Sequence, residues 1–432
     1  MKKRNSTFCG GSPTWTNACV GNNGSPSYVE YAKGFSKAAN LIIDQVLASR
    51  DHNYSVDDMV YPVCFNMRHS VELRLKGAIE ELRIIANWKK IKLEFDLFGS
   101  HDIGNIWSFF KAKSEKIDIR YKANNDKIEP IILDIAAVDA SGQTFRYPID
   151  NESQRHLSDV GLINFNVLKA KFATLEKELD NLLLLTEHLI DEYSLKTFTK
   201  NLSRQQLFFL AEELPKYSSW KDGCFEKTKQ ALRKKYALSN NELTKAINLI
   251  KSNYELMFKI ECRLPLKGLD EYHLLWFLDF WMALNPEILN HKRKLGLFEI
   301  DTDSIFESWQ RDDEIKRKLW SNLDGYLTAE SLAGLNALFY FAPDKRFSET
   351  YILRYETELL ESEALIKDGV GGVWDSFMHI ADKTNFFENL VMSLFFLNYD
   401  ALAEELIDIY GVSDAFSWLD KARSRELFML TE

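Results

Sequence analysis

Residues 62–88 read PVCFNMRHSVELRLKGAIEELRIIANW, and the spacing of their apolar side chains decides the fold class. Met67, Val71, Leu75, Ala78, Leu82 and Ile85 recur at steps of three and four, the repeat of one buried face of an α-helix. Pro62 is a favoured first-turn residue, so a helix is expected from there to about Trp88. The same period continues on both sides. Upstream it begins near Tyr31, with Ala38, Leu41, Ile42, Val46 and Leu47 on one face. Downstream, Ser100 is read as the N-cap of a helix carrying Ile103, Ile106, Trp107 and Phe110. A long helix from about Asn164 to Tyr193 follows, with Leu168, Phe172, Leu175, Leu179, Leu182 and Leu183 as its stripe.

Residues 8–28 are rich in Gly, Ser, Asn and Thr and read as an irregular arm. Residues 128–147 stay open: Ile131–Val138 fits a short helix or a strand, Ser141-Gly142-Gln143 a turn, and Thr144 to Pro148 an extended stretch, because a residue before proline avoids the helical region. Residues 149–160 read as a polar loop, and a domain boundary is placed near 194–203. Beyond it, helices are expected at 203–214, 224–236, 239–261, 270–284, 303–320, 327–341, 346–367, 372–380, 383–397, 399–410 and 412–428. The expected fold class is all-α. An N-terminal helical bundle with its arm (1–196) precedes a C-terminal multi-helix domain (197–432) for recognition or oligomerisation, with at most a short β-hairpin near 131–147. The apolar segments around Leu332–Phe341 and Phe387–Leu397 suggest repeat-like packing, but no repeat of fixed length supports a solenoid.

Composition narrows the function classes. A formal net charge of −10 argues against sequence-independent coating of nucleic acid, which needs a basic surface, while leaving room for a local basic groove. The short basic runs Lys89–Lys92, Arg233–Lys235 and His291–Lys294 read as solvated helix ends. Aromatic residues make up 13% of the chain, and core burial is the reading favoured for them. The 5 cysteines include no CxxC pair, so reduced thiols are expected; a Cys9–Cys19 bridge is the alternative. Met1-Lys2-Lys3-Arg4 opens like a signal peptide but is followed by polar Asn5-Ser6-Thr7, and no apolar run of membrane-spanning length appears; a cytoplasmic protein is expected. Asp301-Thr302-Asp303 and Arg311-Asp312-Asp313-Glu314 read as acidic helix starts, and neither a metal nor a cofactor is expected.

The polar residues of the 62–88 helix carry the chemistry. Arg68, Glu72 and Lys76 stand four apart and project from one side, with His69 beside them. A structural reading makes them a surface ladder of ion pairs worth about 0.2–0.5 kcal/mol each. A functional reading uses His69 as a proton carrier, Arg68 and Lys76 as phosphate cations, and Glu72 to hold them. Two further segments are expected to converge there: Ser100-His101-Asp102 at a helix N-terminus, where free N–H groups favour anions, and Asp139-Ala140-Ser141-Gly142 with Arg146 and Tyr147, where a guanidinium beside an aromatic ring holds a base and a phosphate. Their structural readings are a capping residue and a salt-bridged turn. The catalytic candidates are His69, Arg68 and His101; the ligand-binding candidates are Glu72, Lys76, Asp102, Asp139, Ser141, Arg146 and Tyr147.

HSVELRLKGAIEEL (69–82) followed by SHDIGNIW (100–107) resembles the HEPN superfamily of helical nucleotide-binding domains, over about residues 31–190. Glu72, Lys76, His101 and Asp102 occupy the places of its A-x-E-x-x-x-K-A and H-D-L-x-x-L patterns. The resemblance implies a four- or five-helix bundle, frequent dimerisation, and roles in toxin–antitoxin, abortive-infection and other antiviral defence systems, where many relatives are metal-independent ribonucleases; a homo-oligomer and a protein partner from the same operon are expected. The chain departs from the ribonuclease pattern of an arginine followed four to six residues later by a histidine. Arg68 and His69 are adjacent, Arg50 and His52 too close, and Arg146 and His156, like Arg263 and His273, too far apart. A non-catalytic sensor or scaffold that binds a nucleotide or a protein is the alternative.

Overall fold

The computed structural model describes residues 5–49, 54–149, 155–221, 224–285, 314, 327–368, 370–414 and 416–428. The expected helix at 303–320 apart from Glu314, the carboxylates at 301–303 and 312–313, and the basic run at 291–294 lie outside them. The described residues form sixteen α-helices and no strand; the one β feature is an isolated bridge between Ile149 and Arg155. The fold is all-α. The chain divides into two compact units, Met1–Lys196 and Thr197–Glu432.

The first unit holds five helices: α1 (Tyr28–Ala48), α2 (Val56–Trp88), α3 (Ile103–Ile117), α4 (Tyr121–Asp139) and α5 (Phe165–Ser194). Helix α2 is central, packing on α1, α3 and α5, while α4 lies against α3 and α5. Its expected stripe is buried at Met67, Val71, Leu75, Leu82 and Ile85, as are Ile106, Trp107 and Phe110 of α3 and Phe172, Leu175 and Leu182 of α5, the helices it packs on. Burying one such side chain contributes roughly 1.5–3 kcal/mol.

Several boundaries differ from expectation. Helix α2 starts at Val56, ahead of Pro62: the Ser55 side chain accepts from the Asp57 N–H (3.2 Å), Asp57 and Asp58 suit the first turn, and a 33-residue packed helix outweighs the one backbone bond that Pro62 removes. Helix α3 is capped by Asp102, which accepts from the Asn105 N–H (2.9 Å); Ser100 belongs instead to a turn closed by Asp96. Helix α4 covers the whole ambiguous stretch to Asp139, because Ile128 and Ile132 fit a helical face as well as a strand. No hairpin forms, and 144–147 is a turn, with the Arg146 and Tyr147 N–H groups both donating to the Gln143 carbonyl (3.1 and 3.0 Å). Cys9 and Cys19 are free and exposed.

Beyond the stripe, an ionic knot closes the far end of this unit. Arg120 donates to both oxygens of Asp118 (3.0 and 2.8 Å) and of Glu192 (2.6 and 2.9 Å), and the Tyr193 hydroxyl donates to Asp118 (2.9 Å). It joins the α3–α4 connection to the end of α5.

The second unit holds α6 (Arg204–Glu213), α7 (Cys224–Lys235), α8 (Asn240–Ser252), α9 (Tyr254–Lys259), α10 (Glu271–Leu284), α11 (Ala329–Phe341), α12 (Ser348–Asp368), α13 (Val370–Ala381), α14 (Phe386–Phe396), α15 (Asp400–Tyr410) and α16 (Leu419–Arg423). The single helix expected at 239–261 is broken at Asn253, which ends α8 and caps α9 through the Leu256 N–H (3.0 Å). Among the described residues of 412–428, only Leu419–Arg423 and a short 3-10 turn are helical. Helices α6–α9 enclose one core; α11 and α14 pack together inside a larger one that contains Phe277, Trp281, Phe341, Phe377, Phe386 and Phe387. In this unit the chain's aromatic richness is largely core.

Glu81 provides a test of the α2 packing. Burial first, then the negative charges of Glu187 and Glu80, push its carboxyl up to about 7, and its Oε2 has no hydrogen-bond partner. The native state therefore holds a proton that the unfolded chain releases near its ordinary value of 4.5. Stability is full below that pH and is lost as the pH rises toward the native value. Glu81→Gln is expected to melt higher than wild type at pH 8 and to lose most of that advantage at pH 5; an equal gap at both values in thermal melts would refute this.

Candidate functional site: two imidazoles on a buried carboxylate

The i, i+4 spacing places Arg68, Glu72 and Lys76 on one line of α2, and the structure buries that line: the three residues are 3%, 3% and 4% exposed. They are not a surface ladder. The line faces the joint where α4 ends and α3 begins. Arg68 Nε donates to the Asp139 carbonyl (3.2 Å), Nη2 to the carbonyls of Ala140 (2.6 Å) and His101, and Nη1 to Glu72 Oε2. The Ala140 carbonyl also accepts from the Ile103 N–H (2.9 Å), the first of α3. A guanidinium thus sits on the negative end of α4, where a cation is favoured. Gly142 closes over it in a left-handed turn (φ +79°); a Cβ there would stand 3.1 Å from Arg68 Nη1. Four of the five N–H donors of Arg68 are engaged within the protein.

Glu72 is the hub. Its Oε1 accepts from Lys76 Nζ (2.9 Å) and faces His101 Nδ1 (3.1 Å), while Oε2 takes Arg68 and lies 3.9 Å from His69 Nδ1. Burial alone would raise its pKa; His69, Lys76 and Arg68 outweigh that and hold the carboxyl well below the usual range. A carboxylate held ionised can only accept, so His101 Nδ1 must donate to it, and Nε2 is the ring nitrogen that Glu72 does not hold. That ring is 61% exposed. His69 is less open, at 30%, with its ring edge-on to Phe35 (4.5 Å) and stacked on Phe65 (5.7 Å). It also lines a hollow of about 510 Å³ with Tyr28, Tyr31, Phe35 and Leu73.

The structure therefore gathers Arg68, His69, Glu72, Lys76 and His101. Asp102 turns away to cap α3. Asp139 is buried; its Oδ1 accepts from the Thr144 N–H (3.1 Å) and its Oδ2 has no hydrogen-bond partner. Burial, and then the charge of Asp139, push the neighbouring Cys64 thiol up to about 12, which removes it as a nucleophile near neutrality. Ser141 is exposed. Arg146 and Tyr147 reach the cluster only indirectly, the guanidinium lying 5.6 Å from the Phe65 ring that His69 stacks on. The expected convergence of 68–76 with 101 is present in the structure; Arg146 and Tyr147 border a different space. Sequence reasoning did not identify the carbonyls of His101, Asp139 and Ala140 as partners of Arg68, since backbone acceptors leave no residue signature. Among the described residues no three His, Cys, Asp or Glu side chains gather as metal ligands would. No helix among them is long and apolar enough to cross a membrane.

Fold and site together define an all-α protein with two histidines beside one buried carboxylate. No family model matches the chain, and neither a curated protein nor a solved structure matches it significantly.

Removing the hub takes the carboxylate partner from two buried cations, Arg68 and Lys76. Glu72→Ala is expected to lower unfolding stability by about 3–5 kcal/mol, read by urea denaturation, whereas Ser141→Ala should stay within about 0.5 kcal/mol of wild type.

Proposed function

We propose that the N-terminal unit is an RNA-directed module of HEPN type, acting in the cytoplasm within a bacterial antiphage or toxin-type conflict system as a metal-independent ribonuclease. One observation carries this reading: two partly exposed imidazoles, His69 and His101, flank opposite oxygens of one buried carboxylate. Metal-free phosphodiester cleavage needs a base to take a hydroxyl proton and an acid to return one to the leaving oxygen, and an imidazole pair supplies both near neutrality. His101, with its Nδ1 proton fixed by Glu72, is the base; His69 is the acid. Arg68 and Lys76 keep Glu72 ionised and take no part in phosphate contact, since both are buried and paired.

A second reading has its own support. Because Arg68 spends four donors inside the protein, the cluster lacks the free guanidinium clamp of a strong phosphodiesterase. On that reading the unit is a non-catalytic sensor or scaffold that binds a nucleotide or a partner from the same operon, and the second unit builds an oligomer interface.

Expression in a bacterial host separates the two. The ribonuclease reading expects wild type to arrest growth and fragment total RNA, and His101→Ala to relieve both while melting within a few degrees of wild type. Intact RNA under wild-type expression would sink the catalytic reading and leave the sensor.

A further inference from the structure

Faces of α1 and α2 meet over the hollow of about 510 Å³ that His69 borders. Tyr28, Tyr31 and Phe35 stand three and four apart on α1, and His69, Leu73 and Glu80 stand four and seven apart on α2. Each set lies on one helix face, and all six residues line the same space. The helices approach closely at Gly77, where a Cβ would stand 3.2 Å from Tyr28 Cβ. Tyr28 therefore lies toward Glu80, and Phe35, edge-on to His69 (4.5 Å), toward the other end. The space is a trough with aromatic rings along one wall and a carboxylate at one end.

Its chemistry is bare ring faces and negative charge. Glu80 is exposed and makes no ion pair or hydrogen bond among the described residues. The rings of Tyr28 and Tyr31 pack on no other ring there and carry no lysine or arginine over them, and Tyr31 is 55% exposed. Burial first, and then the charge of Glu80, push the Tyr28 hydroxyl above its ordinary value, which puts the carboxylate within electrostatic reach of the rings. Arg83 also acts on Tyr28, but its guanidinium is held by the Phe95 carbonyl (2.7 Å). Among the described residues no lysine or arginine lines the trough, so an anion finds no fixed cation in it. A cation meets the negative faces of the rings and a carboxylate free to balance it. In the adjoining hollow, which shares Tyr31 and Phe35, the carboxylate of Glu30 is engaged by the Ser27 N–H (2.7 Å), so Glu80 matches a single positive charge.

We propose that this trough binds a small organic monocation of the quaternary-ammonium class. The methylated nitrogen rests on the faces of Tyr28, Tyr31 and Phe35, and Glu80 balances its charge. Such a headgroup spreads its charge over methyl groups that ring faces can cover, and it has no N–H to satisfy. A polyamine would bring further charges with no carboxylate to meet them. The site requires no chemistry at His101, and so goes beyond the function proposed above.

Isothermal titration of the full chain with choline and with tetramethylammonium tests it. The controls are spermidine and the neutral choline isostere in which carbon replaces nitrogen. At least one of the two cations should bind saturably at one site per chain, and the isostere more weakly by at least about tenfold. Tyr31→Ala and Glu80→Gln should each weaken binding by at least about fivefold, Tyr31→Phe by less than about twofold, and His101→Ala not at all. Tyr31 and Glu80 are both exposed, so these variants should melt with wild type. The proposal is overturned if neither cation binds, if the isostere binds as tightly, if spermidine binds more tightly than both, if either Tyr31→Ala or Glu80→Gln leaves affinity unchanged, or if His101→Ala abolishes binding.

Discussion

The N-terminal unit turns on the ionised side chain of Glu72 in the middle of its longest helix. A carboxylate taken out of water costs several kcal/mol unless it is paired and hydrogen-bonded, and here the compensation comes from every side. Lys76 reaches it from one turn along α2 and Arg68 from one turn before. Arg68 in turn is held by the carbonyls that end α4 and precede α3. The position of three helices is therefore coupled to the charge of one side chain. Because that charge is fixed, so is the proton on His101 Nδ1. The constraint that organises the fold also orients a ring that is mostly exposed to solvent.

Other buried ionic knots show what is special about this one. In the same unit Arg120 lies between Asp118 and Glu192; in the second unit Arg204 lies between Glu255 and Glu349. Each has one guanidinium among carboxylates, a charge pattern that joins helices. The Glu72 cluster inverts the pattern, with one carboxylate among two permanent cations and two imidazoles. The excess of positive charge holds the carboxyl well below its ordinary range.

Much of the fold was legible before any coordinates. Apolar residues at three- and four-residue steps located α1, α2, α3 and α5, and α6 forms inside the expected 203–214, where the structure shows a capping box between Ser203 and Gln206. Helix starts were read less well, because several residues in a row can cap: Ser100 and Asp102 are both competent, and only the turn around Asp96 shows which one is free to do it. The stretch at 128–139 stayed ambiguous because a short apolar run with a proline fits a buried helix and a strand alike, and its neighbours α3 and α5 decided for the helix. In the site, the common direction of Arg68, Glu72 and Lys76 followed from spacing alone. Their burial did not, since a run of charges on a helix is ordinarily a solvated face.

The sequence by itself determined the all-helical class, the long central helix and the alignment of its polar residues, because these depend on local periodicity. Tertiary structure alone decided which groups those residues meet. It set the α4 carbonyls against Arg68, His101 on Glu72, and His156 beside Arg146 through a bridge that no pattern of residues marks. Backbone acceptors and loop closures bring together positions far apart in the chain, and their energies depend on distance and burial, quantities that exist only once the helices have packed.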